Sequence, residues 1–402
     1  MTEKKILAIE YACEPNRGSE PGVGWNWSKI ISETPGYKLT VLTRANNKPV
    51  VDAYKKGHPE LKVDFEYIDL SDRWLKHKHG DKHIKFFYTL WQKKAIKYIK
   101  NNIDLSNYDL IWDFNFGSLN LPMYTYKLKK NYIVGPVSTK TNMPKAYEKK
   151  LSFLSRVKSS FNQFLKNHLW LNRAAWKNLK RADKIIVCDK AYKKYLPKKQ
   201  QENAWVVFHN GIDKQNTQGN YVQTRDKLRF VYAGRITYDK NLETAIWALR
   251  MVKDQEIDFE CKIFGDGSSK DNVTRLVDKL YLNEEVSFES KVPQQELFKK
   301  YKKYDYFLFP SLLEISSTAV MEAMYFGLTP ICFDIQGMSK VLNGSPAIVL
   351  PVDEPKADAE KMAEAITKLE KTNDKQKVSD YAKEHYLWKS REKDIQKVLE
   401  NL

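Results

Sequence analysis

A chain of 402 residues with 42% hydrophobic and 13% aromatic content has room for two or three domains with sizeable cores, and this composition excludes an intrinsically disordered protein. The net charge of +18 is concentrated: positions 145–199 hold sixteen Lys or Arg against three acids, Glu148, Asp183 and Asp189. Such a surface attracts phosphate on nucleic acid, on anionic lipid or on a polyanionic substrate. No apolar run approaches the roughly 20 residues needed to span a bilayer. The opening residues run straight into a strand without a signal peptide, so the expected location is cytoplasmic. Cys13, Cys188, Cys261 and Cys332 are far apart and form no C-x-x-C pair, which predicts buried free thiols.

In chain order, short apolar runs predict strands at 5–11, 38–43, 63–68, 110–114, 132–135 and 185–188, with amphipathic stretches such as 24–31 and 86–100 between them. The theme repeats with strands at 205–208, 228–233, 258–264, 285–289, 304–309, 329–333 and 347–350, and helices at 241–253, 269–280, 293–302 and 318–325. A Lys/Glu-rich helical segment, 357–402, closes the chain. This alternation predicts an α/β protein of two Rossmann-like, doubly wound parallel-sheet domains. The expected divisions are 1–203, 204–380 and 381–402, with a linker near 197–205. Ligands of such sheets bind beyond the carboxyl ends of the strands, and the conspicuous motifs fall there.

The first strand leads into Cys13-Glu-Pro-Asn-Arg-Gly18-Ser-Glu-Pro-Gly22-Val23-Gly24-Trp-Asn-Trp27. Three glycines ahead of a helix would let backbone N–H groups approach an anion closely, although the spacing is not the dinucleotide fingerprint G-x-G-x-x-G. The alternative is a tight strand-to-helix turn with no ligand. The second half gives Val231-Tyr-Ala-Gly234-Arg235, followed by Lys240 at a helix start, where a cation normally opposes the helix dipole. A bound diphosphate would offset that cost, so Arg235 and Lys240 are candidate clamps on two phosphates. The turns holding Gly265 and Val292 are weaker candidates for lining a nucleobase pocket.

The richest segment is Pro310-Ser-Leu-Leu-Glu314-Ile315-Ser316-Ser317-Thr318-Ala-Val-Met-Glu322. A buried strand ends at the proline, and Ser316, Ser317 and Thr318 are N-cap candidates for the helix that follows. Glu314 then lies before the helix and Glu322 within its first turns, with free N–H groups between them. Carboxylates accept hydrogen bonds from hydroxyls, so sugar or ribose groups are natural partners; two plain surface glutamates are the alternative.

Two other clusters carry less. His77, His79 and His83 sit in a Lys-rich stretch and read as a solvated basic loop, so no metal site is expected. Cations in 145–199 are interleaved with Phe153, Phe161, Phe164, Leu169, Trp170 and Trp176, the composition of a membrane-surface segment or of a basic helix packed on its own domain.

The tandem order resembles a retaining glycosyltransferase of family 4 with the GT-B fold. The segment 13–27 is similar to one branch, the enzymes that build exopolysaccharide and capsule, and Glu314/Glu322 is similar to the family's Glu-x7-Glu signature. The resemblance implies that two domains face across a cleft and that the C-terminal helix crosses back to the first. It implies that Arg235 and Lys240 hold the donor diphosphate, Glu322 the ribose and Glu314 the donor sugar. Backbone N–H groups of Ile315, Ser316, Ser317 and Thr318, with Gly22, Val23 and Gly24, would complete the cradle, which Gly234 joins. Asp113 stands near where the branch carries a pocket histidine, and it could orient the acceptor or take a proton; a capped strand-end Asp that touches nothing reactive is the alternative.

The expected activity is transfer of a hexose or N-acetylhexosamine from a nucleoside diphosphate sugar, UDP-sugar favoured, to a glycan acceptor, lipid-linked. No cofactor beyond the nucleotide-sugar is expected, and no metal, because the chain has no Asp-x-Asp. Contact of 145–199 with the anionic inner membrane is expected, and no nucleic acid. Two rivals stand: a basic protein that binds nucleic acid or another polyanion, and an inactive glycosyltransferase-like scaffold, which the altered 113–118 and 135–144 loops would motivate.

Overall fold

A computed structural model describes residues 3–77, 83–114, 117–139, 142–149, 151, 153–215, 226–335, 337–370 and 374–402. His79, Asn115, Phe116, Lys140 and Thr141 lie outside the described residues. The chain forms two compact units. The first takes 1–139, 160–210 and 388–402, and the second takes 140–159 and 211–387.

The first unit holds a seven-stranded sheet, all of whose strands are parallel. In chain order these are β1 (Lys4–Ile9), β2 (Tyr37–Arg44), β3 (Val63–Ile68), β4 (Leu110–Asp113), β5 (Tyr132–Val137), β6 (Lys184–Val187) and β7 (Trp205–Val206). Their spatial order is β3-β2-β1-β4-β5-β6-β7. The second unit holds β8 (Leu228–Ala233), β9 (Phe259–Phe264), β10 (Val286–Glu289), β11 (Tyr306–Phe309), β12 (Thr329–Asp334) and β13 (Ile348–Pro351), in the order β10-β9-β8-β11-β12-β13. The register of β8 on β9 runs from Leu228↔Phe259 to Ala233↔Phe264, again parallel.

Helices cover both faces, so strands such as Tyr-Phe-Leu-Phe in β11 are buried along their whole length and read as continuous apolar runs. In each sheet the winding reverses once, between β1 and β4 and between β8 and β11. Crevices for ligands open at such switch points.

One face of the first sheet packs Trp25, Trp27 and Ile31 together with Ile395, Val398 and Leu399 of the last helix, Trp388–Glu400. The Tyr37 hydroxyl donates to the Leu399 carbonyl at 2.8 Å. The C-terminal helix therefore belongs to the first unit. All four cysteines are buried and free.

Two details differ from the sequence reading. The run at 205–208 belongs to the first sheet, not the second: Trp205 pairs with Ile186 and makes β7 its edge strand. The units divide at 210/211 and 387/388 instead of 203/204 and 380/381, and 140–159 joins the second unit. The reason is a pair of bonds, Tyr147 Oη to Asp358 Oδ2 at 2.8 Å and Tyr238 Oη to the Tyr147 carbonyl at 2.6 Å. The closing segment is helical as expected, in three pieces, Pro355–Thr367, Lys375–His385 and Trp388–Glu400. Among the described residues no helix is long and apolar enough to cross a membrane.

Candidate active site

The second unit's switch point carries the site. Beyond the ends of β8, β9 and β10 the backbone is laced sideways: Gly234 N–H donates to the Phe264 carbonyl and Gly265 N–H to the Glu289 carbonyl, each at 3.0 Å. Gly265 sits at φ +152°, and a Cβ there would stand 1.9 Å from the Gly234 carbonyl oxygen. Only glycine satisfies both demands. Gly265→Ala is expected to destabilise the second unit by about 2 kcal/mol or more, read as a lower urea midpoint.

This lacing shapes a pocket of about 400 Å³ lined by Gly234, Arg235, Gly265, Val292, Gln294 and Glu322, over an apolar floor of Phe264, Leu297 and Tyr301. The size suits a nucleoside-scale ligand. Arg235 is exposed and, among the described residues, its guanidinium makes no ion pair. Glu322 lies in the second turn of the helix Thr318–Tyr325 and accepts a hydrogen bond from Gln294 Nε2 at 2.6 Å. Burial pushes its carboxyl up to about 8. The pocket lining thus offers an exposed guanidinium together with a carboxyl that has an amide beside it.

Lys240 and Glu314 form a second cluster at the same switch point. Lys240 is only 9% exposed and pairs with Glu314, whose Oε1 also accepts from Ser311 Oγ at 3.1 Å. The ammonium lies 5.7 Å from the centre of the Phe309 ring. Lys240 is the last residue of a short 3₁₀ turn, and Asn241, in the left-handed conformation at φ 53°, opens the helix Leu242–Lys253. Gly337, at φ +97°, lets its loop close on this cluster: a Cβ there would be 2.4 Å from the Glu314 carbonyl oxygen.

Of the expected donor residues, Gly234, Arg235, Gly265, Val292 and Glu322 line the pocket, whereas Lys240, Glu314, Ile315, Ser316, Ser317 and Thr318 do not; Ala319 represents their segment there. Ser317 is the N-cap, and its Oγ accepts from Val320 N–H at 3.4 Å.

The first unit bears on two expectations. The helix Ser19–Glu33 begins earlier than position 24, so the N–H groups of Gly22, Val23 and Gly24 enter its hydrogen-bond ladder and cannot cradle an anion. The glycines serve packing instead. A Cβ on Gly22 would meet the Arg17 carbonyl at 1.8 Å, and one on Gly24 would meet the Glu10 carboxyl at 2.7 Å. Asp113 is fully buried, and its Oδ2 accepts from Thr125 Oγ1 at 2.6 Å and Asn178 Nδ2 at 3.3 Å. It is a buried carboxyl at the end of β4, which fits the capped strand-end reading better than one that meets an acceptor.

Sequence reasoning missed Gln294, Ser311, Gly337 and Glu10. Gln294 directly follows Pro293 at a helix start, a position that hinted at a side chain facing the strand ends; the others gave no local signal. Glu10 accepts from Ser28 Oγ, and burial pushes it up to about 8. The folded chain therefore holds a proton that an unfolded glutamate releases near 4.5. The stability this contributes is present in full at acid pH and is lost as pH rises through about 8. Urea midpoints are expected to fall between pH 6 and pH 9, and Glu10→Gln should flatten part of that slope; an unchanged slope would contradict a neutral Glu10.

Residues 213–385 match the family model for glycosyl transferases group 1. The chain is similar to the putative colanic acid biosynthesis glycosyltransferase WcaL of Salmonella typhimurium, 26% identical over 144 residues, 34% of this chain. It is also similar to the amylovoran biosynthesis glycosyltransferase AmsK of Erwinia amylovora, 29% identical over 148 residues, 35% of this chain. Each match spans 36% of the relative's own length. Among solved structures, sucrose-phosphate synthase of Thermosynechococcus elongatus aligns with a TM-score of 0.66 at 13% identity, covering 99% of both chains. HepE of Anabaena, solved with UDP and glucose, aligns with a TM-score of 0.58 at 13% identity over 100% of both. These likenesses carry the fold, which is GT-B.

Proposed function

We propose that the chain is a retaining glycosyltransferase that moves a hexose or N-acetylhexosamine from a nucleoside diphosphate sugar, UDP-sugar favoured, to a glycan acceptor, lipid-linked, in bacterial cell-surface polysaccharide synthesis. The observation that carries this reading is the switch-point pocket whose lining brings together Arg235 and the hydrogen-bonded Glu322–Gln294 pair. The match to glycosyl transferases group 1 supports it, and so do the polysaccharide-related names of the relatives.

In this reading the nucleoside enters the pocket, Glu322 accepts from the ribose hydroxyls, and Arg235 faces the diphosphate. Lys240 and Glu314, outside the pocket lining but on loops of the same switch point, are assigned to the donor phosphate and sugar, and Lys240 would exchange its carboxylate partner for phosphate when donor binds. The acceptor hydroxyl oxygen bonds to the anomeric carbon as the carbon–oxygen bond to the diphosphate breaks. The hydroxyl proton passes to a phosphate oxygen on the same face. Fixed cations stabilise the leaving group, and no metal is needed. Work on the cytoplasmic side, where nucleotide-sugars are made, fits this chemistry.

The test is proton NMR of the product made from an α-linked UDP-sugar in the presence of EDTA. An α-linked product with undiminished rate is expected. A β-linked product would overturn retention, and loss of activity restored by magnesium would overturn the protein-built clamp.

A further inference from the structure

The helix Phe153–Asn167 is turned inside out. On a 100° step, Phe153, Leu154, Val157, Phe161, Phe164 and Leu165 fall within an arc of about 120°. Helices on globular proteins bury such a face. Here all six are exposed, Phe153 at 70% and Leu154 at 79%. The helix's inward side is polar: Lys166 is buried, 5.4 Å from the Tyr195 ring centre, and Ser159 Oγ donates to Glu148 at 2.7 Å. Trp170 and Leu171 extend the exposed apolar strip beyond the helix end. An apolar strip of this extent marks an interaction surface.

Charge decides what covers it. Lys149 and Arg156 are exposed around the start of the helix, and Arg173 and Lys177 follow Leu171, also exposed. The stretch 145–199 has only three acids to set against its cations. Aromatic and aliphatic side chains on one arc, rimmed by cations, fit the boundary between the headgroups and acyl chains of an anionic bilayer. A soluble partner would need acidic groups around an apolar groove, whereas the lipid surface supplies both at once.

We infer that the outward face of 153–171 docks on an anionic membrane surface, with the six side chains inserted among the acyl chains and the flanking cations on lipid phosphates. This surface shares no residue with the donor pocket and does not depend on the transferase reading.

The test is flotation of the full chain with vesicles of phosphatidylglycerol and phosphatidylcholine in equal parts, against phosphatidylcholine alone. At least tenfold more protein is expected to float with the anionic vesicles, with binding weakened by salt. The double variant Phe161→Asp/Phe164→Asp is expected to lose at least tenfold of that binding while melting as the wild type does. Leu154→Asp, at the most exposed position of the arc, carries the same expectation should the double variant melt early. Wild-type protein that stays unbound, floats equally with both vesicles, or is unaffected by these substitutions would overturn the inference. A dimer in light scattering that the double variant abolishes, without lipid binding, would assign the face to a second copy of the chain and equally overturn it.

Discussion

Arg235→Ala is expected to lower kcat/KM by roughly 10²–10³-fold, about 3–4 kcal/mol of transition-state stabilisation, with little change in melting temperature. The guanidinium is exposed, lines the pocket and makes no ion pair among the described residues, so its removal leaves no buried charge without a partner. Lys240→Ala should differ in kind. Lys240 is buried against Glu314, and deleting it strands a carboxylate in a poorly solvated place. A stability loss of about 3 kcal/mol is expected in addition to the loss of turnover. Steady-state kinetics and urea denaturation on both variants separate the two effects. Unchanged kcat/KM in both would remove the diphosphate clamp.

Glu322→Ala should act on binding before chemistry. Its carboxyl is held by Gln294 at 2.6 Å at the wall of a pocket whose floor is apolar. A ribose diol placed there loses its partner in the variant, and affinity for the free nucleotide is expected to fall about 30-fold, the worth of two neutral hydrogen bonds at about 1 kcal/mol each. Calorimetric titration of the nucleotide alone reads this directly. A variant that binds nucleotide as well as the wild type but turns over slowly would give Glu322 a role at the sugar instead.

The parallel sheets were legible because strands buried on both faces leave apolar runs, and because loops at their carboxyl ends carry the unusual residues. Arg235 and Glu322 sit at such ends, so their neighbourhood could be read locally. The rest depends on contacts distant in sequence. The sequence leaves Asp113 open between a reactive and a capped strand-end carboxyl, and Thr125 and Asn178, 12 and 65 positions away, favour the capped one. A helix start near position 24 would leave the N–H groups of Gly22 and Gly24 free for an anion; the real start at Ser19 puts them in the ladder. Gln294 acts through a side chain 28 positions from Glu322, and no local pattern announces such a pair. The apolar face of 153–165 was visible as composition, but periodicity alone points an apolar arc inward; exposure is what reverses it.

The donor site is tested most directly by titrating UDP, GDP and ADP into the purified chain and into Glu322→Ala and Arg235→Ala. Saturable binding of UDP in preference to the others, weakened in the variants, is the predicted result. No binding of any nucleotide by the wild type, or UDP binding that neither Glu322→Ala nor Arg235→Ala weakens, would contradict a donor site at this switch point.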